Sequence, residues 1–174
     1  RVDAVGVPGR RVAALCEREE AILAVARAVT DERIGGMRIR CHGDYRLDEI
    51  LSTGRDFMPF DFAGDTSEPL SQRRLKESPA RDIADLLRSL HYAAFSTLLA
   101  EVERGAIAPE AVSEYEPWSR AWWSWVSSAF LRTYLEASDG QLLPIETDDL
   151  ILLLDATMIE KAVRELAWEL NNRS

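Results

Sequence analysis

The sequence has few cysteines, fewer basic than acidic residues and no long apolar run, and each shortage excludes a class of function. The 174 residues include two cysteines and two histidines, and neither type shows the spacing of a zinc site. No apolar run is long enough for a membrane-spanning helix. The 21 Lys and Arg residues are outnumbered by 30 Asp and Glu residues, which leaves a net charge of −9. This acidity argues against nucleic acid as a partner, because phosphate contacts need clustered basic side chains.

The compartment and the domain count follow from the same figures. The cysteines Cys16 and Cys41 suit a reducing cytoplasm, and no secretory signal peptide is recognisable. We therefore expect a cytoplasmic protein without a membrane partner. A chain of 174 residues can bury its own core, so we expect a single domain over residues 1–174.

Two acidic motifs stand out in the first third of the chain. His42 and Asp44 form a His-x-Asp motif, Glu49 follows five positions later, and an Asp-Phe-x-Gly motif begins at Asp61. This order and spacing are typical of a kinase catalytic loop followed by its metal-binding loop. We predict that Asp44 orients the attacking hydroxyl and that Glu49 and Asp61 bind magnesium. We expect His42 to order the loop by hydrogen bonding rather than to act as a base, and Asp82 to hold down a loop.

The segment between the two motifs predicts a β-hairpin that would return Asp61 to Asp44. Residues 52–55 have the composition of a tight turn between two short apolar runs. Residues 37–41 alternate apolar and basic side chains, which predicts a short strand leading into the catalytic loop. The simplest alternative is a surface hairpin that happens to be acidic, and the combined pattern favours the kinase interpretation.

The remaining sequence predicts helices. An apolar stripe over residues 10–29 indicates the first helix. Pro79 is expected to start a second helix that Gly105 ends, and Pro117 to open a third. Thr147 is expected to cap the last helix. The predicted fold class is therefore mainly α with a small β-hairpin.

For the third and the last predicted helix, the sequence pattern predicts which side chains lie in the core. In the third helix we expect three tryptophans at four-three spacing to lie in the core: Trp118, Trp122 and Trp125. Trp123 lies off that stripe, where it could line a cleft. In the last helix the predicted apolar stripe is Ile159, Val163, Leu166 and Leu170. The opposite face of that helix carries Lys161, Arg164 and Trp168.

The motifs also resemble one family closely. The run 37–45, which contains His-Gly-Asp-Tyr, and the run 69–94, which matches no general kinase pattern, resemble the C-terminal lobe of bacterial maltokinases. These enzymes, especially the type fused to trehalose synthase, are aminoglycoside-phosphotransferase-like kinases. The resemblance implies transfer of the ATP γ-phosphate to the anomeric hydroxyl of maltose, with Mg²⁺ as cofactor. It also implies a role in trehalose and glycogen metabolism, with a fused or associated trehalose synthase as partner.

The resemblance implies a bilobal parent enzyme. The Gly-rich strand-turn-strand and the Val-Ala-x-Lys strand of a nucleotide-binding lobe are not recognisable in this chain. We therefore interpret the chain as the C-terminal lobe of a protein-kinase-like or aminoglycoside-phosphotransferase-like fold, with the N-terminal lobe missing. The residues that would bind ATP are left open, and we expect the isolated chain to be inactive.

The family resemblance also suggests sugar contacts. Lys161 and Trp168 would suit a sugar through hydrogen bonding and ring stacking, and an ordinary solvated helix face is an equal alternative. His91 and Tyr92 are further candidates for sugar contacts, although simple packing is favoured for both.

The catalytic loop departs from the family pattern at three positions. Arg46, Asp48 and Glu49 stand where the family has His, Gly and Gln. The extra carboxylates crowd negative charge near Asp44, which raises at least one carboxyl pKa. Two alternatives to a maltokinase therefore stay open. One is a degenerate lobe that binds a sugar or a partner, and the other is a kinase for another sugar or an aminosugar, whose positive charge would suit the carboxylates.

Overall fold

The computed structural model describes residues 17–31 and 34–172, and these residues are mainly helical with one small hairpin. The described residues contain five α-helices, in chain order α1 (Glu19–Asp31), α2 (Leu70–Arg73), α3 (Ala80–Glu103), α4 (Val112–Ser138) and α5 (Thr147–Asn172). Two antiparallel strands, β1 (Ile50–Ser52) and β2 (Phe57–Pro59), form the only sheet among the described residues. Short 3₁₀ turns precede β1 and α4, at Leu47–Glu49 and Pro109–Ala111. The predicted fold class of mainly α structure with a small hairpin is confirmed.

The core is built around α3, which packs against both α4 and α5, while α1 packs against α5. The side chains that α3 contributes to the buried core cluster follow helical spacing, and they are Ala80, Ile83, Leu86, Leu87 and Leu90. Leu143, in the loop before α5, completes this buried cluster. Half-buried side chains of α4 and α5 close over it: Trp123, Val126, Phe130, Tyr134, Leu150, Leu153, Leu154 and Met158.

Most helices begin and end near the proline, glycine and threonine residues that predicted their ends. Pro79 immediately precedes α3, and Gly105, with φ +75°, follows its C-terminal residue Arg104. Thr147 begins α5. The prediction that Pro117 opens the third helix was wrong, because α4 begins five residues earlier at Val112. A proline this close to the helix start removes one hydrogen bond of the second turn, and the helix tolerates that loss.

The assignment of the tryptophans of α4 was wrong. Trp118, Trp122 and Trp125 are 76%, 47% and 74% exposed. Trp123 packs against the core, and its indole Nε1–H donates to the Leu87 carbonyl at 3.0 Å. The helix carries two apolar stripes, and the one that includes Trp123 faces α3.

The burial predicted for α5 was also wrong in part. Val163 and Leu166, which were expected to pack, are exposed. Lys161, which was placed on the opposite face, points into the contact between α5 and α3. Lys161 faces α3 because the buried carboxylate of Asp85 needs a cation as its partner. Two other residues predicted on the same face as Lys161 are exposed: Arg164 and Trp168.

Two further expectations concern residues near the catalytic loop and the N-terminal part. Of the predicted strand at residues 37–41, the described residues show a single antiparallel bridge, between Ile39 and Glu77. The predicted first helix is present from Glu19, and the rest of its apolar stripe lies outside the described residues. None of the described helices is long and apolar enough to cross a membrane.

Candidate active site

The hairpin brings the two acidic motifs together. Ile50 lies opposite Pro59 and Ser52 opposite Phe57, with Gly54 at φ +80° in the turn between them. The predicted turn over residues 52–55 is therefore confirmed. Because both strands of a two-stranded sheet are edge strands, Pro59 is tolerated there. Beyond it the Phe60 N–H donates to the Glu49 carbonyl at 3.1 Å, so the pairing continues to the residue before Asp61.

His42 links the catalytic loop to the loop that contains Asp61. Its Nε2 lies 2.7 Å from the Phe60 carbonyl, and since a carbonyl only accepts, this nitrogen carries the proton. The imidazole is buried, and its ring centroid lies 4.6 Å from that of Phe62 and 5.5 Å from that of Tyr45. These contacts are those of a residue that orders both loops.

Two glycines allow the same two loops to touch. Gly43 and Gly64 both have positive φ, at +84° and +75°. A Cβ atom on Gly43 would lie 3.2 Å from the Gly64 Cα, so a side chain there would push the loops apart. The Asp65 N–H donates to the Gly43 carbonyl at 3.2 Å across this contact. The loops are therefore fixed to each other by backbone as well as by His42.

Asp82, in the first turn of α3, holds the catalytic loop against the helical core. Its Oδ2 accepts the His42 N–H at 2.8 Å and its Oδ1 accepts the Gly43 N–H at 2.9 Å. Charge-assisted bonds of this kind are stronger than bonds between neutral groups. The expectation that Asp82 holds down a loop is confirmed. Cys41, next to this clamp, has its pKa raised to about 12 by burial and by the charges of Asp82 and Glu77, so its thiol stays protonated.

Arg46 is surrounded by the three carboxylates of the catalytic loop. Its Nε lies 2.9 Å from Asp44 Oδ1, its Nη1 lies 3.4 Å from Asp48 Oδ2, and its Nη2 lies 3.9 Å from Glu49 Oε1. Partial burial opposes the charge of the guanidinium, but the charges of Asp44 and Asp48 outweigh it and raise the pKa of Arg46. The carboxylates predicted to orient the hydroxyl and to bind metal are thus paired with a cation from their own loop.

Asp61 sits exposed in an unusual backbone conformation. Its φ of +56° is in the left-handed region that favours glycine. Its Oδ1 accepts the Ala63 N–H at 3.3 Å, a bond within its own turn. Residues held in such conformations cluster at functional sites, where surrounding contacts maintain them. Here the contacts are those of Phe60 with His42 and Glu49.

The donors of the two loops fit magnesium by chemistry. Mg²⁺ prefers oxygen ligands, and one or two carboxylates suffice when phosphates and water complete the shell. Glu49 and Asp61 offer such oxygens. Within residues 17–31 and 34–172 no group of three or more His, Cys, Asp or Glu side chains is arranged to hold a metal ion by itself. A metal here would therefore have one or two protein ligands, and water or nucleotide phosphates would complete its shell.

A buried ion pair lies behind the catalytic loop. Lys161 Nζ lies 2.7 Å from Asp85 Oδ1, and the Asp85 side chain is only 3% exposed. Burial raises the pKa of Asp85, the Lys161 charge opposes that shift, and the Asp44 charge adds to it. Burial opposes the charge of Asp65, which follows Asp61 in the same loop, but hydrogen bonds from Ser67 and then the charge of Lys161 lower its pKa. The predicted sugar contact Lys161 therefore links α5 to α3 close to both loops.

A second polar cluster supports the Asp61 loop from the other side. Glu68 pairs with Arg81 at 3.1 Å and with Arg164, and Arg81 also pairs with Glu77. Arg73 donates from its Nη1 to the Ala63 carbonyl at 2.9 Å. These residues are not predicted as site residues from the sequence.

The other predicted sugar contacts lie on the helices. The His91 ring stacks on Phe95 at 4.5 Å and meets Trp123 edge-on at 5.2 Å. Burial and the charge of Arg88 lower the pKa of His91, so the ring stays neutral at pH 7. Tyr92, on α3, and Trp168, on α5, are both exposed. The structure brings His42, Asp44, Glu49 and Asp61 to two joined loops, and it places His91 in a packed aromatic cluster.

A glucosamine kinase in complex with glucosamine, ADP and inorganic phosphate matches the chain with a TM-score of 0.70 and 24% sequence identity. The match covers 96% of this chain and 38% of the kinase chain. The chain has the fold of part of a sugar kinase. No family model matches the sequence. The described residues thus share the architecture of one portion of a longer kinase chain.

Some of the missed residues had a recognisable signal. Asp85 is the one charged residue in the otherwise apolar stretch 83–87 of α3, so a buried partner was required. Which basic side chain supplies it depends on how α5 packs on α3. The Arg73 contact carries no signal of this kind, because a surface-like basic cluster is usually solvated.

Proposed function

We propose that the chain is the catalytic, C-terminal lobe of an ATP-dependent sugar kinase. The observation that carries this proposal is the joining of the His-Gly-Asp loop and the Asp-Phe-x-Gly loop through His42, Phe60 and the two facing glycines. Phosphoryl transfer depends almost entirely on positioning and on charge stabilisation. A rigid pair of loops that presents carboxylates at one place meets the first of these needs.

Each residue has a defined part in this mechanism. Asp44 accepts the proton of the attacking sugar hydroxyl and orients that hydroxyl toward the phosphate. Glu49 and Asp61 would hold Mg²⁺, which supplies charge neutralisation at the transferred phosphate when it is bound. His42 and Asp82 fix the loops and do not touch the reacting atoms. Contacts with the nucleotide base and the distal phosphates would come from an N-terminal lobe, in line with the 38% coverage of the similar kinase.

Maltose is the first candidate substrate, with an expected product of maltose 1-phosphate. Its support is the motif resemblance to bacterial maltokinases, and a fused or associated trehalose synthase would supply a related sugar. Lys161 and Trp168 on α5, with His91 and Tyr92 on α3, remain the predicted sugar contacts.

An amino sugar is the second candidate, and a specific observation favours it. The similar solved kinase carries glucosamine, whose amine is a cation near neutral pH. The catalytic loop of this chain adds the carboxylate of Asp48 beside Asp44 and Glu49. A positively charged substrate would be attracted by that group, whereas maltose has no charge to offer.

The test is ADP release and phosphorus NMR of the product with the full-length gene product, using maltose and glucosamine in parallel. We expect one of the two sugars to be phosphorylated, and Asp44→Asn to reduce turnover by about 10²–10⁴-fold. Asp155→Asn, an exposed carboxylate on α5, is the matched control and should retain activity. Turnover that survives Asp44→Asn would overturn the proposed role of Asp44. Absence of turnover with any sugar, from a folded protein that still binds sugar, would favour the degenerate lobe.

A further inference from the structure

Arg46 stands in an unusual place for a cation, because it occupies the centre of the proposed metal-binding loop. Each of its three guanidinium nitrogens lies near a different carboxylate. Nε is 2.9 Å from Asp44, Nη1 is 3.4 Å from Asp48 and Nη2 is 3.9 Å from Glu49. A planar guanidinium presents its donors in a fixed fork, so it can satisfy several carboxylates at once. It is therefore a counter-ion for the loop as a whole.

We propose that Arg46 is a built-in counter-ion that competes with a divalent cation for Glu49 and Asp44, so that the metal enters only when the guanidinium moves away. This inference rests on the proposed function, because it concerns the metal of the same site. It assigns Arg46 a positioning role: the residue controls the availability of the carboxylates and does not touch the reacting atoms.

The geometry shows how the exchange can occur without unfolding. The Arg46 side chain is 42% exposed, so its guanidinium can swing into solvent while the loop stays in place. The contact with Glu49 is the longest of the three, so Glu49 is the carboxylate released most easily. Asp44 and the loop backbone remain fixed, because Asp82 holds the His42 and Gly43 N–H groups.

Charge explains why the loop needs such a device. Asp44, Asp48 and Glu49 carry like charges within one short loop and would repel one another if no cation were present. Arg46 supplies one positive charge against these three carboxylates. A divalent ion supplies two, so it neutralises the loop more fully than Arg46 does, but it must overcome three existing ion pairs. The expected outcome is a weak cation site whose loop is stable without metal.

The experiment measures Mn²⁺ binding to the full chain by calorimetry and by thermal melting followed by circular dichroism. Arg46→Gln should melt at a lower temperature than wild type without metal, and Mn²⁺ should raise its melting temperature by more than it raises that of wild type. Its Kd for Mn²⁺ should be about fivefold lower, the factor that corresponds to about 1 kcal/mol of ion pairing that no longer competes. Arg46→Lys, which keeps the charge but not the fork, should lie between the two.

Two controls separate this inference from its alternatives. Arg55→Gln removes the same charge from the exposed hairpin turn and should leave the Kd unchanged. Asp61→Asn in the Arg46→Gln background should abolish the gained affinity. Equal tightening by Arg55→Gln, or a gain that Asp61→Asn leaves intact, would overturn the inference, since general charge or an adventitious site would then explain it.

The remaining outcomes distinguish the inference from the proposed function. If wild type and Arg46→Gln bind Mn²⁺ equally and Asp61→Asn removes binding from both, the counter-ion role is wrong and the metal site stands. If neither protein binds Mn²⁺, both the counter-ion role and a nucleotide-independent metal site are wrong. Kinase activity of the full-length protein with Mg²⁺ and ATP would then show whether the proposed function itself survives.

Discussion

Replacing Lys161 with methionine should destabilise the fold, because Lys161 is the partner of a buried carboxylate. Asp85 is 3% exposed, its Oδ1 lies 2.7 Å from Lys161 Nζ, and its Oδ2 has no hydrogen-bond partner among the described residues. Removing one member of a buried pair leaves an uncompensated charge and costs about 3–5 kcal/mol. Lys161→Met should therefore lower the free energy of unfolding by about 3–5 kcal/mol at pH 7.

The loss should depend on pH in a defined direction. Burial already raises the pKa of Asp85, and removing Lys161 removes the main charge that opposes this shift. A carboxyl whose pKa is higher in the folded than in the unfolded state lowers stability as pH rises. The unfolded state releases the proton freely in water, whereas the folded state must either keep the proton or bury the charge. The difference between Lys161→Met and wild type should therefore be larger at pH 7 than at pH 5.

The measurement is urea unfolding followed by circular dichroism at both pH values. Lys76→Met, which changes the other lysine of the sequence at an exposed position, is the matched control and should have little effect. Asp85→Asn combined with Lys161→Met removes both charges and should recover much of the lost stability. If Lys161→Met unfolds like wild type while sugar binding is lost, Lys161 is a sugar contact and the structural argument is refuted.

Two other contacts yield direct predictions. Asp82→Ala should remove the charged acceptor of the His42 N–H, and we expect the free energy of unfolding to fall by about 2–4 kcal/mol. Amide exchange in the catalytic loop should become faster, as measured by hydrogen exchange mass spectrometry. Unchanged exchange in that loop would contradict the role of Asp82 in holding it. Burial favours the neutral form of Glu68, but Arg164 and Arg81 outweigh it and lower the pKa of this carboxyl below 4.5. The stabilisation that Glu68 provides is therefore complete above its unfolded-state pKa and is lost as pH falls through its lower folded-state pKa. Glu68→Gln should cost about 1–2 kcal/mol at pH 7, since one partner is half exposed, and the cost should shrink as pH is lowered below 4.5 in acid unfolding. A cost that does not change with pH would exclude the ion pair as its source.

Local signals account for the features that the sequence predicted well. The turn over residues 52–55, the start of α3 after Pro79 and its end before Gly105 each depend on a few adjacent residues. The role of Asp82 in holding the catalytic loop was also predictable, because a carboxylate at the start of a helix can accept hydrogen bonds from the N–H groups of a neighbouring loop. The order of the two motifs and the hairpin between them was sufficient to predict that the loops would meet.

Which face of a helix is buried could not be predicted in the same way. In α4 the stripes through Trp118 and through Trp123 are both apolar, and only the position of α3 decides between them. In α5 Lys161 is partly buried because Asp85 on another helix pairs with it. Such decisions depend on contacts between residues far apart in sequence, and periodicity within one helix carries no information about them.

The exposure of the α4 tryptophans has a consequence for spectroscopy. Of the five tryptophans in the chain, Trp123 is packed in the aromatic cluster, whereas Trp118, Trp125 and Trp168 are largely in water already. Intrinsic emission from the folded protein is therefore dominated by indoles in a polar surrounding, and unfolding changes that surrounding mainly for Trp123. Replacing the exposed indoles with phenylalanine would leave Trp123 as the dominant emitter, next to His91 and directly above the core of α3. The emission of such a variant would report on the packing between α3 and α4 alone.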